Sequence, residues 1–318
     1  MSKEKSVLFG IDDSDFARQA LLGIGGLLKN SKNLKMTVFH GASEPDFSLF
    51  SESIGQDPDA LEKHRQRWGF KAQKVLEQAK EALAESGFDP GKTSTIFDKK
   101  CSDPSDALLK VAGHEGIETL AVARWGKATV SRQVIGSITY RLSQLANNLA
   151  LWVIDPRICS HNVLVGLIGA PVSQRVVDYT VRYFSHLKES KFTFMHVAPP
   201  MPPQYWESGD ITAIEGHEKQ EKIFQLWLKE YTDRVKEAAN RAKKKLIEAG
   251  VPEQNVFFKL EPQKKGIARD ILVELEEGNH GILVIGRKGY RDIKEFGLGS
   301  KASKLLVNGR AFIVCLVN

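Results

Sequence analysis

The amino-acid sequence contains one pattern twice, about half a chain apart, and this repeat limits the possible folds more than any other feature. The matching pairs are residues 8–11 and 164–167, residues 36–40 and 192–196, Gly87 and Gly250, and Gly136 and Gly299. The offset is 156 residues for the first two pairs and 163 for the last two, so the second copy has gained seven residues. Because order and spacing agree, the chain is predicted to hold two copies of one folding unit. We place the insertion at the proline-rich segment 199–203 and predict a loop or lid there.

Within each copy, short apolar segments alternate with amphipathic ones. Five segments of the first copy are rich in β-branched and aromatic residues and are predicted as strands, at 6–12, 35–41, 94–98, 118–123 and 149–154. Two long, charged helices are predicted at 59–87 and 217–249, and each ends at a glycine, Gly87 or Gly250, that suits a left-handed C-cap. Ser14 and Ser173 are predicted to cap the first helix of each copy.

Alternation of strands with helices indicates a parallel sheet that is covered on both faces. We therefore predict an α/β protein with two doubly wound, five-stranded parallel-sheet domains, at residues 1–157 and 158–318. The last strands of the two domains, 149–154 and 311–317, are apolar and would favour aggregation as exposed edges. We predict that they pack together about a pseudo-twofold axis, which makes the chain an intramolecular pseudo-dimer and leaves further homo-oligomers open.

Composition excludes several classes of protein. The chain has 45 Lys and Arg against 39 Asp and Glu, and this net charge of +6 is spread along 318 residues, so specific nucleic-acid binding is not expected. No apolar run approaches the ~20 residues that span a bilayer. The N-terminus shows no signal peptide, and we expect a cytoplasmic protein. Three scattered cysteines (Cys101, Cys159 and Cys315) predict neither a disulfide framework nor a zinc site.

The second copy contains the most informative motif. It reads Gly286-Arg287-Lys288-Gly289, then nine residues, then Gly299-Ser300, after the apolar strand 282–285. In doubly wound sheets, ligands bind beyond the carboxyl ends of the strands, and glycine lets the backbone approach them closely. Gly299 and Ser300 are predicted to open a helix whose N–H groups and dipole suit a phosphate. The cations Arg287, Lys288, Arg291 and Lys294 lie in the same loop. A G-x-x-G alone is usually only a turn, but the combination favours a phosphate site.

This combination resembles the universal stress protein family, whose nucleotide-binding members carry G-x-x-G, nine residues, and then Gly-Ser or Gly-Thr after the fourth strand. Because both halves show the pattern, the chain is similar to a tandem member. The resemblance implies an adenine-nucleotide alpha-hydrolase-like fold, roles in stress tolerance, and ATP binding in some members. It also implies that adenine lies against the backbone of Gly41 in the first half and Val197 in the second, and that an acidic residue at the position of Asp12 lies near the nucleotide.

Each half lacks one element of the family pattern. The first half keeps Asp12, whereas the second has Ile168 at the matching position. The first half has altered glycines: it reads Ala123-Arg124-Trp125-Gly126, nine residues, and then Gly136-Ser137. Alanine is costly in place of glycine only where φ is positive. We predict that the second half is the better phosphate site and that Gly126, Gly136 and Ser137 form a degenerate one.

Two further sets of residues allow alternative interpretations. His40 and His196 end matching strands, and we predict a structural rather than a catalytic role for them. Asp12, Asp13 and Asp15 could attract Mg²⁺ beside phosphates, but an acidic helix N-terminus explains them more simply.

The sequence therefore predicts a regulatory module that binds ATP or another adenine nucleotide, with or without Mg²⁺, and signals to an unidentified protein partner. An interaction scaffold with paired domains and no nucleotide is the alternative. An adenylating enzyme of the ATP-pyrophosphatase type would need S-G-G-x-D-S after the first strand, and neither half has it. No phosphate-loop, nucleophile-elbow or metalloprotease motif is present, so strong intrinsic catalysis is not expected.

Overall fold

The computed structural model describes residues 4–43, 58–127, 135–157, 160–167, 170–198, 214–287, 298–309 and 313–318. Its strands are β1 (Lys5–Gly10), β2 (Leu34–Gly41), β3 (Thr93–Asp98), β4 (Thr119–Ala123), β5 (Ala150–Ile154), β6 (Val163–Gly166), β7 (Phe192–Ala198), β8 (Val256–Pro262), β9 (Ile282–Gly286) and β10 (Ile313–Val317). Its helices are α1 (Asp15–Leu28), α2 (Pro58–Glu85), α3 (Pro104–His114), α4 (Ser137–Leu145), α5 (Ala170–Phe184), α6 (Ile214–Glu248), α7 (Ile267–Glu277) and α8 (Ser300–Asn308).

The chain divides into two units. The first comprises Met1–Cys159, Lys294–Leu298 and Leu306–Asn318, and the second comprises Ser160–Ile293 and Gly299–Leu305. The strand at the end of the chain, β10, therefore belongs to the first unit.

The sheet of the first unit has the strand order β3-β2-β1-β4-β5-β10. The first five strands are mutually parallel, and β10 runs antiparallel to β5, with Leu316 opposite Leu151 and Ile313 opposite Ile154. This confirms the predicted pairing of the two apolar segments. All five residues of β4 and of β5 are buried, which is the pattern expected of strands covered on both faces.

The second unit repeats this arrangement. Its strand order, β9-β6-β7-β8, corresponds to β4-β1-β2-β3, and all neighbouring strands are parallel. The predicted α/β class with mostly parallel strands is therefore correct. The proline-rich segment 199–203, where a loop or lid was predicted, lies outside the described residues.

The structure confirms three of the four helix caps predicted from the sequence. Ser14 caps α1, and its Oγ accepts a hydrogen bond from the N–H of Ala17 at 3.2 Å. Gly87 and Gly250 have φ angles of +82° and +89°, the left-handed conformation predicted for them. The prediction for Ser173 was wrong, because α5 begins three residues earlier, at Ala170, and contains Ser173. Across the part of the chain that the structure describes, no helix is both long and apolar enough to cross a membrane.

The left-handed C-cap gives a testable prediction. Gly87→Ala should destabilise the protein by about 1–2 kcal/mol, because an L-residue is strained at positive φ. A Cβ there would meet only the side chain of Lys29, at 3.4 Å, so backbone strain is the main cost. The matched control is Gly113→Ala in α3, where a Cβ would meet nothing within 4 Å. It should stabilise the protein by about 0.5–1 kcal/mol. Urea unfolding measures both, and equal effects of the two substitutions would contradict the prediction.

Candidate functional site

The first unit contains a cavity of about 420 Å³ at the carboxyl ends of β1, β2 and β4. A volume of this size falls within the range of small-molecule sites. Much of its wall is apolar, supplied by Ile11, Phe39, Leu108, Val122 and Trp125. This place in a doubly wound sheet is the one where ligands are expected.

The cavity brings together the five residues of the first half that are predicted to bind nucleotide. Its lining includes Asp12, Gly41, Gly126, Gly136 and Ser137. Asp12 and Gly126 follow β1 and β4, and Gly41 ends β2, so all three lie at the same edge of the parallel sheet. Gly136 and Ser137 come at the start of α4. The structure thus places these candidates around one space, and their role in binding stays a prediction.

Asp12 holds the glycine loop of the first half in place. Its Oδ2 accepts a hydrogen bond from the N–H of Lys127 at 2.8 Å, and its Oδ1 accepts from the N–H of Ser14 at 3.1 Å and from the Ser14 hydroxyl. A Cβ on Gly126 would lie 2.6 Å from Asp12 Oδ2, so only glycine leaves room for this contact. The glycine is needed for close approach, since Gly126 is not among the described residues with positive φ.

Lys127 also neutralises the next carboxylate. Its Nζ lies 2.5 Å from Asp13 Oδ2. The hydrogen bond from Lys127 lowers the pKa of Asp13, and the same contact raises the pKa of Lys127. Asp15 lies in the first turn of α1, where an acidic residue complements the helix dipole. The three carboxylates therefore have separate structural roles, and no group of three potential metal ligands was found in the described part of the chain.

The N-terminus of α4 forms another part of the cavity wall. Gly136 is its N-cap residue, with φ of −58° and no side chain to cap the helix. The Gly136 N–H donates to Arg124 O at 3.0 Å, and the Thr139 hydroxyl donates to Ala123 O at 2.9 Å. These two bonds fix the helix start against the end of β4. Because the first turn lines the cavity and lacks a side-chain cap, its amide groups can serve an anionic ligand.

In the second unit, the corresponding residues that the structure describes have the same backbone arrangement. Gly286 is the last residue of β9, Ser300 is the first of α8, and the Gly299 N–H donates to Arg287 O at 2.9 Å. Val197 lies near the end of β7, opposite Glu261 of β8. The remaining predicted positions of this half lie outside the described residues, namely Ile168, Lys288, Gly289, Arg291 and Lys294.

The arginine of each glycine loop is buried. Arg287 is only 1% exposed, and burial lowers its pKa to about 10. Its counterpart Arg124 is 2% exposed and donates to the carbonyl oxygens of Leu306, at 2.5 Å and 2.8 Å, and of Gly309. Burial of the Arg287 side chain argues against the phosphate contact predicted for it from the sequence.

The first residue of the loop needs no special backbone conformation. Among the described non-glycine residues, only Asn33 and Asn279 have positive φ, so Ala123 does not. Gly286, at the same position in the second unit, is also absent from the described glycines with positive φ. Alanine is therefore compatible with the backbone at this position.

The two strand-end histidines have the structural role predicted for them. His40 Nδ1 donates to Ile11 O at 2.9 Å, and His196 Nδ1 donates to Leu167 O at 2.5 Å. Each bond ties the second strand of a unit to the residue after its first strand. His196 Nε2 also contacts the Tyr231 hydroxyl, and burial lowers the pKa of His196 and raises that of Tyr231 to about 12.

The packing of Trp125, the packing of Gly41 and the pairing of Lys127 were not predicted from the sequence. Trp125 is 2% exposed and packs edge-on against Phe16, while the Arg157 guanidinium lies 5.2 Å from its ring centroid. A Cβ on Gly41 would lie 2.5 Å from Cys101 Sγ. The third is the pairing of Lys127 with the acidic turn, for which the adjacent carboxylates offered a charge signal.

Comparisons with known proteins agree with the fold and with its repeat. The model of the Universal stress protein family matches residues 4–149 and again residues 160–310. Universal stress protein YxiE of Bacillus subtilis (strain 168) is 26% identical over 142 residues, which is 44% of this chain and 92% of that protein. The crystal structure of a universal stress protein from Archaeoglobus fulgidus DSM 4304 is similar with a TM-score of 0.60, at 17% identity, and covers 98% of this chain and 97% of its own. A functionally unknown protein of Pseudomonas aeruginosa PAO1 has a TM-score of 0.57 at 13% identity, covering 98% of this chain and 92% of its own.

The contact between Asp13 and Lys127 predicts a titration behaviour. The pKa of Asp13 should lie below the usual ~3.9 of an aspartate. Lys127→Met should raise it, because the hydrogen bond from Lys127 is the largest cause of the shift. The stabilising effect of the pair should be complete above the unfolded-state pKa and be lost as pH falls through the folded-state pKa. NMR titration of the carboxyl carbon measures the shift. Lys92→Met, which removes the partner of Asp89, is the control and should leave Asp13 unchanged.

Proposed function

Because the chain belongs to the universal stress protein family and carries its domain twice, we propose that it is a stress-response regulator that binds an adenine nucleotide, with ATP as the first candidate. The observation that carries this proposal is the cavity of about 420 Å³ whose wall unites Asp12, Gly41, Gly126, Gly136 and Ser137. Its apolar walls suit an adenine ring, and the uncapped N-terminus of α4 suits a phosphate.

The residues around the cavity fit a nucleotide without taking part in chemistry. In the first unit, Gly41 would offer backbone groups to the adenine and the start of α4 would bind the phosphates. In the second unit, Val197 and the start of α8 would have these roles. If Mg²⁺ accompanies the nucleotide, it supplies positive charge beside the phosphates, and Asp12 is the acidic side chain at this edge of the cavity.

We propose that the second unit binds the nucleotide more tightly than the first. Its glycine pattern is complete in sequence, and Ile168 replaces the acidic residue. In the first unit, the Asp12 carboxylate lies in the cavity wall and would repel a phosphate that arrives without a cation. Trp125 also forms part of the wall of this cavity.

An interaction scaffold without nucleotide is the second candidate. It is favoured by the contacts of Asp12 and Asp13 with Lys127, through which side chains of the chain itself hold the loop of the first unit in place. In this case a protein partner would recognise the surface of the paired domains. Retention of a nucleotide through purification separates the two candidates.

The nucleotide proposal predicts that freshly purified, denatured protein releases an adenine nucleotide, identified by mass spectrometry. Calorimetry with ATP should show the tighter site lost in Gly289→Val, because a branched side chain there blocks the approach of phosphate. Gly126→Val should affect only the weaker site, where its Cβ would collide with Asp12. Ala123→Gly should not strengthen binding, since φ at that position is not positive.

Two results would contradict this proposal in different ways. Absence of any released or added nucleotide would favour the scaffold. Loss of the tighter site in Gly126→Val, with Gly289→Val behaving as the unaltered protein, would show that the first unit is the main site.

A separate prediction is that the protein hydrolyses ATP negligibly. In-line attack on a phosphoryl group needs a positioned water or base together with charge stabilisation. The carboxylate in the cavity wall, Asp12, and its neighbour Asp13 already bond Lys127. Phosphate release by the purified protein should therefore stay far below the ~1–10³ s⁻¹ of typical enzymes, and a rate in that range would refute the prediction.

A further inference from the structure

A second cavity in the first unit has no counterpart among the family-like features described above. It measures about 520 Å³ and lies between α2 and β3. Residues of α2 at helical spacing form one wall (Arg65, Gly69, Gln73, Leu76 and Lys80), and Thr95, Phe97 and Lys99 form the other at strand spacing. We refer to this cavity as the α2–β3 groove.

The floor of the groove is aromatic and well anchored. The rings of Trp68 and Phe97 lie with centroids 5.8 Å apart, and both side chains are half-buried. Phe97 in turn stacks on His40, with ring centroids 5.8 Å apart and planes 9° apart. Because His40 donates to Ile11 O, this floor is fixed to the body of the sheet.

The rim of the groove is positively charged. Arg65, Lys80 and Lys99 lie on it with exposed side chains, against one carboxylate, Glu77. Arg65 contacts Glu62 at 3.4 Å, whereas Lys80 and Lys99 have no ion pair with any described residue. Two cations are therefore available to an acidic ligand.

The second unit provides an internal comparison, because α6 and β8 correspond to α2 and β3 at an offset of 163 residues. Lys243, the counterpart of Lys80, pairs with Glu253 at 2.8 Å, and the counterpart of Glu253 in the first unit is Pro90. The counterpart of Lys99 is Pro262. In addition, Leu228 replaces Arg65 and Phe258 replaces Thr95. The fold itself thus does not require the unpaired cations of the first unit.

The groove also borders the outermost described strand of the sheet of the first unit. Within the described residues, β3 ends the strand order of the first unit and pairs with β2 alone. The backbone groups on the outer side of an edge strand can pair with an added strand.

From these observations we propose that the α2–β3 groove binds an extended acidic segment of a partner protein, which adds to the edge of β3. An apolar or aromatic side chain of the segment packs on Trp68 and Phe97, and its carboxylates pair with Lys80 and Lys99. A peptide fits better than a nucleic acid, because the groove offers few cations and a carboxylate, whereas phosphodiester binding uses a continuous basic track. This site is separate from the proposed nucleotide cavity, so either proposal can fail alone.

The proposal is tested with a fluorescein-labelled peptide that has glutamates on both sides of one central phenylalanine. Its fluorescence polarisation is measured as the full-length protein is added. We expect saturable binding that weakens as salt is added, because the ion pairs are exposed. The double variant Lys80→Glu/Lys99→Glu should weaken binding about tenfold or more. Thr95→Phe, which copies the residue of the second unit, should also weaken it by filling the groove.

The matched control is Lys243→Glu, which changes the corresponding, already paired lysine of the second unit and should leave binding within about twofold. A peptide with proline at alternate positions lacks the N–H groups that pair with an edge strand and should bind poorly. Equal binding of the proline peptide would overturn addition to β3. No saturable binding, or equal losses in the control and the double variant, would overturn the groove as the site. Tighter binding of a single-stranded oligothymidylate, with the same sensitivity to the double variant, would show a nucleic-acid surface instead.

Discussion

Parallel pairing of β1 with β4 is the constraint on which the candidate site depends. The register places Gly10 opposite Val122, so both strands end at the same edge of the sheet. Asp12 follows β1 by two residues and Lys127 follows β4 by four, and this shared edge lets the Asp12 carboxylate accept the Lys127 N–H. In an antiparallel pair these residues would leave opposite ends of the sheet and could not meet. The position of the cavity thus depends first on the direction of the strands, and the side chains then determine its lining.

That register also explains why glycine is needed in the loop of the first unit. Glycine is often explained by positive φ, but at Gly126 the limiting quantity is the 2.6 Å between a hypothetical Cβ and Asp12 Oδ2. Ala123 at the strand end is compatible with the same fold, because it lies in β4 with an ordinary φ. The first and last positions of the G-x-x-G motif, here Ala123 and Gly126, therefore meet different physical constraints. Replacing glycine has a different cost at each of them.

The sequence was sufficient for those parts of the structure that depend on local chemistry or on the repeat. Ser14, Gly87 and Gly250 were interpreted correctly, because caps are specified by residues next to one another. Ser173 was misassigned because Pro171, a residue favoured in the first turn of a helix, already marks an earlier start of α5.

Two expectations differ from the structure: one concerns a local turn at the end of a strand, and the other concerns packing between distant elements. The sequence predicted a strand through residue 12, but β1 ends at Gly10, and the Asp12 side chain instead bonds the N–H of Ser14, as in a turn. Arg287 looked like a phosphate ligand because its neighbours are cationic, yet its side chain is 1% exposed. Burial of an arginine depends on what surrounds it in three dimensions, and the local sequence carries no signal for that.

Comparison of the two copies separates what the fold requires from what function requires. The bond from histidine Nδ1 to a carbonyl oxygen, the bond from a glycine N–H to an arginine carbonyl, and the left-handed glycine after the long helix occur in both units. These features maintain the shared architecture. Asp12 in the first copy has no acidic counterpart, and Lys80 differs from Lys243 in lacking an ion pair among the described residues. Each feature belongs to one copy and not to the shared architecture, and differences of this kind are where the functions of the two copies can diverge.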